Sequence, residues 1–184
     1  SRNSAMPIAY GGGIQTLDEI ERCLSAGCDK VVINSECIKN PEFIHKASKA
    51  FGAQCIVVSV DYIAQGQGDW KVFSHSGFNT EHLKLEDFII QLVEMGAGEL
   101  LITSVDHEGA MEGYDEVILN KIASKINIPI LINGGCGHPR HMVEVLKLGA
   151  AGSCAGSIFY YSEFGYKDIK KYLFSHGINI RQIE

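Results

Sequence analysis

Short apolar runs alternate along the chain with segments patterned for helices. Residues 7–10, 30–33, 54–60, 99–103, 129–132 and 151–154 read as strands. They are nearly continuous apolar runs rather than in-out alternations, the pattern of strands covered on both faces. Residues 17–26, 41–51, 85–95, 114–125, 139–148 and 166–175 carry helical spacing. Thr16, Asn40 and His138 stand where N-caps belong, the last two ahead of a proline, and Gly27, Gly96 and Gly149 each follow a helix. Residues 62–76, with Gly66, Gly68, Trp70 and Phe73, read as a loop with a hairpin arm. Six βα units in a row predict an α/β protein with a parallel sheet and right-handed crossovers. A doubly wound sheet and a (β/α)8 barrel both satisfy that pattern.

An internal repeat separates them. Residues 7–35 lie over 129–157 without a gap, which places Pro7-Ile8 on Pro129-Ile130, Gly12-Gly13 on Gly134-Gly135, Leu24 on Leu146, Gly27 on Gly149 and Ser35 on Ser157. A duplication favours a barrel built of two equivalent halves, each with its own ligand site. The strands at 54–60 and 99–103 have no counterparts one repeat earlier; those would cover on the order of 70 residues ahead of Ser1. Adding them gives about 250 residues, the usual size of an eight-stranded barrel. The expectation is therefore one (β/α) barrel domain over residues 1–184, of TIM type, holding six of its eight βα units.

Composition narrows the function classes. With 184 residues, 46% apolar and 21% charged, the chain has material for a sizeable core, which excludes disordered, collagenous and low-complexity readings. A net charge of −6 without a long basic stretch argues against a nucleic-acid partner. No apolar run approaches the roughly 20 residues of a membrane span, and no signal peptide opens the chain, whose polar Ser1-Arg2-Asn3-Ser4 leads almost at once into an apolar strand. The six cysteines form no C-x-x-C pair and sit in strand-like or helix-like segments, so they read as reduced thiols of a cytoplasmic protein. Cys136 with His138 and His141 lacks a standard zinc spacing, and the other histidines form no metal pattern, so no metal or cofactor is implied.

The chemistry lies in the turns. Gly11-Gly12-Gly13 and Asn133-Gly134-Gly135-Cys136-Gly137 each stand between a strand and a helix. Glycines let the backbone approach an anion, and helix-start amides donate to it. Ile33-Asn34-Ser35 and Ala155-Gly156-Ser157 follow the next strands, so each glycine turn gains a small polar neighbour. Two such phosphate cups, a recurring device at the carboxyl face of barrels, suit a substrate with a phosphate at each end. Asp61 ends the apolar run 55–60 at a strand mouth, where a carboxylate can act as general acid or base. The next strand delivers Thr103, Ser104 and Asp106. Lys30 and Glu99 begin strands at the opposite end, where charges ordinarily just face water.

These motifs give the chain a close resemblance to the HisA/HisF-type barrel family, at its branch of imidazole glycerol phosphate synthase cyclase subunits. Tyr10-Gly-Gly-Gly-Ile14, residues 26–35, 51–61 and 96–106, Gly113-Tyr-Asp115 and residues 176–181 carry it, over essentially the whole chain. The resemblance implies a cyclase or lyase of histidine biosynthesis. Ammonia from a partner glutaminase passes through the barrel and reacts with a bis-phosphorylated ribulosyl aminoimidazole carboxamide, giving imidazole glycerol phosphate and aminoimidazole carboxamide ribotide. It implies Asp61 as one of two catalytic aspartates, and Asn34, Ser35, Gly134, Gly135, Gly156 and Ser157 as phosphate-binding positions, with Gly12 and Gly13 in the first turn. Lys30 and Glu99 fall on two positions of a charged ammonia gate, and Asp29 on a docking position for the glutaminase.

The chain also departs from the family pattern. The other catalytic aspartate belongs to a first strand that would precede Pro7. The usual Asp-Arg-Asp-Gly-Thr loop reads Asp106-His-Glu-Gly-Ala110, and the Thr-Gly after the hairpin arm reads Thr80-Glu81. Met6-Pro-Ile-Ala-Tyr-Gly-Gly-Gly13 is closer to a paralogous branch in surface-polysaccharide (lipopolysaccharide O-antigen) synthesis, which would use the same ammonia to build an amidino group on a sugar. A third expectation is a non-catalytic barrel that binds and activates its glutaminase.

Overall fold

The computed structural model describes residues 6–66, 68–74 and 83–181, so the Ser1–Ser4 opening and the Thr80-Glu81 departure lie outside the described residues. The chain divides into two compact units, Ser1–Leu101 and Ile102–Glu184.

In the first unit, β1 (Ala9–Gly11), β2 (Lys30–Ile33) and β3 (Ile56–Gly66) pair in parallel, with Tyr10 opposite Val31 and Val32 opposite Val57. Val31, Ile33, Ile56, Val58 and Val60 are almost fully buried, as their uninterrupted apolar runs require. β1 starts later than the 7–10 run predicts; its pairing begins after Pro7, which has no N–H to give to a ladder. The connecting helices are α1 (Leu17–Ser25), α2 (Ser35–Lys39), α3 (Glu42–Phe51) and α4 (Leu85–Glu94), with a 3-10 turn at Ala53–Cys55. β4 (Asp69–Phe73) runs back antiparallel on β3, placing Trp70 and Val72 inward. This is the expected hairpin arm, and it lengthens β3 well past the 54–60 run. β5 (Glu99–Ser104) starts at the end of this unit.

The second unit continues with α5 (Glu116–Ala123), β6 (Ile130–Asn133), α6 (Pro139–Lys147), β7 (Gly152–Ser153), α7 (Ser157–Tyr161) and α8 (Tyr166–Ser175). β6 and β7 are parallel, and Ile102, Ile118, Leu119, Ile132, Val145 and Ile158 form its buried side. Strand–helix alternation of the barrel class thus runs through both units.

The repeat seen in the sequence is a repeat of structure. The β1–β2 register sets Ala9 on Lys30 and Tyr10 on Val31; the β6–β7 register sets Leu131 on Gly152 and Ile132 on Ser153, at the same sequence shift. The Asp29 N–H donates to the Ile8 carbonyl at 2.8 Å, and the equivalent Ala151 N–H donates to Ile130 at 2.8 Å. Helices α1 and α6 match residue for residue, as do α2 and α7.

Helix ends follow local chemistry. The Thr16 hydroxyl accepts from the Glu19 N–H, and the Glu19 carboxylate accepts from the Thr16 N–H, a capping box that opens α1. His138 Nδ1 accepts from the Arg140 N–H at 3.1 Å to open α6. Asn40 differs from expectation. Its carbonyl accepts from the Phe43 N–H, Pro41 occupies the N-cap, and the Asn40 N–H closes α2 on Glu36. After α1, α4 and α6 the chain closes with the same pair of backbone bonds, for example Gly27 N–H to Leu24 and Cys28 N–H to Cys23. Gly27, Gly96 and Gly149 all adopt φ near 100° there, the left-handed turn that this closure needs.

Candidate functional site: two glycine cups and a strand-mouth carboxylate

The first cup is a cavity of about 550 Å³ at the carboxyl ends of β1 and β2. Gly12, Gly13, Asn34 and Ser35 all line it, as the sequence predicts. Asn34 occupies the N-cap of α2 but makes no side-chain bond to that helix, which leaves its amide for the cavity. Gly12 and Gly13 adopt φ of 119° and 71°, and a Cβ on either would meet no atom within 4 Å, so the turn opens onto free space. Ser59 of β3 and Glu36 and Lys39 of α2 also line it, and the last two are residues that no motif of the sequence had marked.

The second cup brings together Gly134, Gly135, Gly156 and Ser157, but tightly, in about 10 Å³. Its glycines are held by packing as well as by φ: a Cβ on Gly135 would stand 1.9 Å from the Gly113 carbonyl oxygen, and one on Gly134 2.6 Å from that of Ser104. Asn133 Nδ2 donates to Thr103 Oγ1 at 3.4 Å and to Glu108 Oε2 at 3.3 Å. The substituted loop residue Glu108 thereby places its carboxylate on the cup wall. Thr103 joins the cup through Asn133, whereas Asp106 is exposed beyond β5 and does not line it. Ser104 Oγ and His107 Nδ1 stand 2.8 Å apart at the base of the same loop.

Asp61 lies where β3 leaves its buried stretch and begins to pair with β4, opposite Phe73. It is half-buried, and its charge reaches the Cys37 thiol. Burial pushes that thiol up to about 12, with the Asp61 and Glu36 carboxylates adding to the shift. Burial likewise raises the Tyr114 hydroxyl and the Cys136 thiol, and Tyr114 Oη donates to the Cys154 carbonyl at 2.8 Å. All six cysteines are free thiols.

At the amino-terminal ends of β2 and β5, the Lys30 ammonium and the Glu99 carboxylate form an ion pair within the first unit. Glu99 is buried, so this is not a pair of charges merely facing water. Asp29 is exposed, and its Oδ2 accepts from the Ile8 N–H at 2.8 Å, so it also anchors the entry to β1.

The family model described as "Histidine biosynthesis protein" matches residues 1–165. The chain is 41% identical over 182 residues to the imidazole glycerol phosphate synthase subunit HisF of Natranaerobius thermophilus, covering 98% of this chain and 72% of that protein. It is 40% identical over 177 residues to the subunit of the same name from Streptococcus mutans, covering 96% and 70%. The chain belongs to the histidine biosynthesis protein family.

Within that family the two cups occupy equivalent places of the repeat, yet they are not equivalent in chemistry. The counterparts of Glu36 and Lys39 are Ile158 and Tyr161, so the first cup carries a cation that the lining of the second lacks, while each has one carboxylate on its wall, Glu36 in the first and Glu108 in the second. Short helices α2 and α7 begin at Ser35 and Ser157, so each starts at the edge of its cup. Neither helix is among the segments that helical spacing predicts. The signal that points to them is the repeat itself, continued beyond Ser35 and Ser157.

Proposed function

We propose that this histidine biosynthesis family chain is the ammonia-dependent cyclase subunit of an imidazole glycerol phosphate synthase, a lyase-type enzyme acting on a substrate phosphorylated at both ends. The observation that carries the reading is the pair of glycine cups built in one register at one repeat spacing. In each, glycine backbone and a small hydroxyl, of Ser35 or Ser157, border one space at the end of a strand pair, an arrangement in which backbone can approach an anion. Gly12, Gly13, Asn34 and Ser35 hold one phosphate; Gly134, Gly135, Gly156 and Ser157 hold the other. Thr103 orients Asn133 at the second, and Asp106 shapes the loop that carries Glu108.

Asp61 is the general acid–base group. Its carboxylate takes a proton as the ammonia nitrogen attacks and returns one to the departing nitrogen. Lys30 and Glu99 gate ammonia at the opposite strand ends, and a glutaminase subunit docks there near Asp29. A biosynthetic role of this kind supports a cytoplasmic location as part of the same reading. No helix among the described residues is long and apolar enough to cross a membrane.

The test is Asp61→Asn. Ammonia-dependent turnover is expected to fall by at least 10²-fold, in line with general acid–base contributions, while glutaminase binding persists. Retained turnover overturns the assignment of Asp61. Complementation of a histidine auxotroph by the natural gene checks the pathway. Failure with normal expression would instead favour the surface-polysaccharide paralogue.

A further inference from the structure

The two glycine turns enter their helices through equivalent residues of different chemistry. In the first half, the Thr16 hydroxyl accepts from the Glu19 N–H at 3.3 Å, and Glu19 Oε2 accepts from the Gln15 N–H at 2.8 Å. The repeat carries Gln15, Thr16 and Glu19 onto Gly137, His138 and His141. There His138 Nδ1 accepts from the Arg140 N–H at 3.1 Å, and His141 Nδ1 accepts from the Gly137 N–H at 3.3 Å. Two imidazoles therefore stand where the first half has a hydroxyl and a carboxylate. An imidazole nitrogen accepts only while the ring is neutral; the imidazolium has two donors and no acceptor. A cation at a helix start is also opposed by the helix dipole.

These bonds act on the backbone of the second cup. Gly137 directly follows Gly134, Gly135 and Cys136, which border that cup. A Cβ on Gly137 would stand 2.3 Å from the Met111 carbonyl oxygen, and the Gly113 N–H donates to the Gly135 carbonyl at 2.8 Å, so the turn is locked to residues 111–113. His141 is 5% exposed, and its ring lies 3.9 Å from where a Cβ on Gly113 would stand. Met111 is the one non-glycine with a left-handed φ (61°) among the described residues, a conformation kept only where its surroundings impose it. Burial first, then Arg140 and His138, hold the His141 imidazole below its ordinary 6.5, while Glu144 opposes them. Tyr172 of α8 meets His138 edge-on at 5.6 Å with His176 stacked on its ring, and the Cys136 thiol donates to the His138 carbonyl. His141 is thus an acceptor at neutral pH, and what it contributes is complete above 6.5 and lost as pH falls below that. Glu19 is instead held below the usual carboxylate range, by the Gln15 N–H first and by Thr16, so the first turn keeps its acceptor where imidazoles charge.

We propose that His138 and His141 are positioning residues of the second cup: as neutral acceptors they fix the turn 133–137, and their protonation releases it while the first cup is unaffected. Neither ring is among the residues lining the cup, so both act through Gly137 and the first turn of α6. This rests on the reading of both cups as anion sites and adds a control that only one of them has.

The experiment follows the full chain by NMR from about pH 7.5 down to about pH 5, the range in which imidazoles charge. Without ligand, the Gly137 and Arg140 amides are expected to shift in step with the ring protons of His141 and His138. Inorganic sulfate, whose charge is constant over this range, is then titrated at each pH, with Gly12 and Gly13 reporting the first cup and Gly134 and Gly135 the second. Binding at the second cup is expected to weaken by about three- to tenfold relative to the first, the scale of one net hydrogen bond. The double variant His138→Asn with His141→Gln keeps two acceptors that do not titrate, so its second-cup profile should flatten to that of the first. His141→Leu removes the acceptor and should weaken the second cup at every pH, whereas a purely structural box would weaken both cups together. The proposal is overturned if the Gly137 and Arg140 amides ignore the ring titrations, if the second cup holds sulfate as well or better at low pH, or if the double variant keeps the decline. The unaltered chain alone supplies the first two of these outcomes, so the test survives a variant that does not fold. Sulfate binding at both cups with parallel pH profiles sinks this proposal alone; no sulfate shift at either cup at any pH sinks the two-phosphate reading with it.

Discussion

Gly13 and Gly135 hold the same place in the repeat for different physical reasons. Gly13 needs its positive φ but faces open space, whereas Gly135 also lies against the Gly113 carbonyl. Gly13→Ala is expected to cost only about 1–2 kcal/mol, the strain of a left-handed alanine. Gly135→Ala should cost clearly more, because backbone must move as well. Urea denaturation of the two variants checks the ordering, and equal losses would contradict it. Cys37 supplies a pH test. Its folded-state value of about 12 lies above the ordinary 9.0, so the buried neutral thiol contributes stability that is fully present below pH 9 and lost as pH rises toward 12. Stability measured against pH should show a steeper alkaline decline in the natural chain than in Cys37→Ala. The sequence identified both glycines and the thiol; the close approach of Gly113 to Gly135 joins residues far apart in the chain and is invisible to spacing.

Local patterns place an element well when its own residues stabilise it. Helix α1 carries its capping box, its acidic first turn and its glycine stop within a dozen residues, and its start matches the expectation. Thr16→Ala should lower stability by about 1 kcal/mol, readable as a shift in the denaturation midpoint, because the Glu19 N–H then has no hydroxyl to donate to. Helices α2 and α7 behave differently. Five residues are too few to show a helical period or to be stable alone, so they form because the strand before and the cup beside them fix their first turn. Strand β7 is likewise shorter than its apolar run, keeping only the two residues that pair with β6. The hairpin arm had legible turn glycines, but only pairing with β4 shows that Asp61 stands at the change from parallel to antiparallel neighbours.

For the whole molecule, the Lys30–Glu99 pair is the feature whose meaning extends beyond the chain. Spacing gives no signal that these strand-initial charges meet, since they lie far apart in the chain and on different strands; only the family resemblance put both on one gate. Lys30→Met leaves the Glu99 carboxylate buried without its partner. Because Lys30 is itself partly exposed, the expected loss is about 1–2 kcal/mol. If the pair gates ammonia, that variant should lose glutamine-driven turnover while keeping turnover with added ammonium, whereas a purely structural pair would lower both together. Steady-state assays with each nitrogen source, with the glutaminase present, separate the two.

By itself the sequence determined the alternation of strands and helices, the repeat, the glycine turns and the family, because each is written in local spacing or in residue identity. Tertiary structure decided which of those residues share a space. It closed one cup around packed glycines and left the other open. It placed Glu36 and Lys39 on the open one, left Asp106 outside, and joined Lys30 to a buried Glu99. Those outcomes depend on which strands lie side by side, a long-range fact that no single stretch of residues encodes.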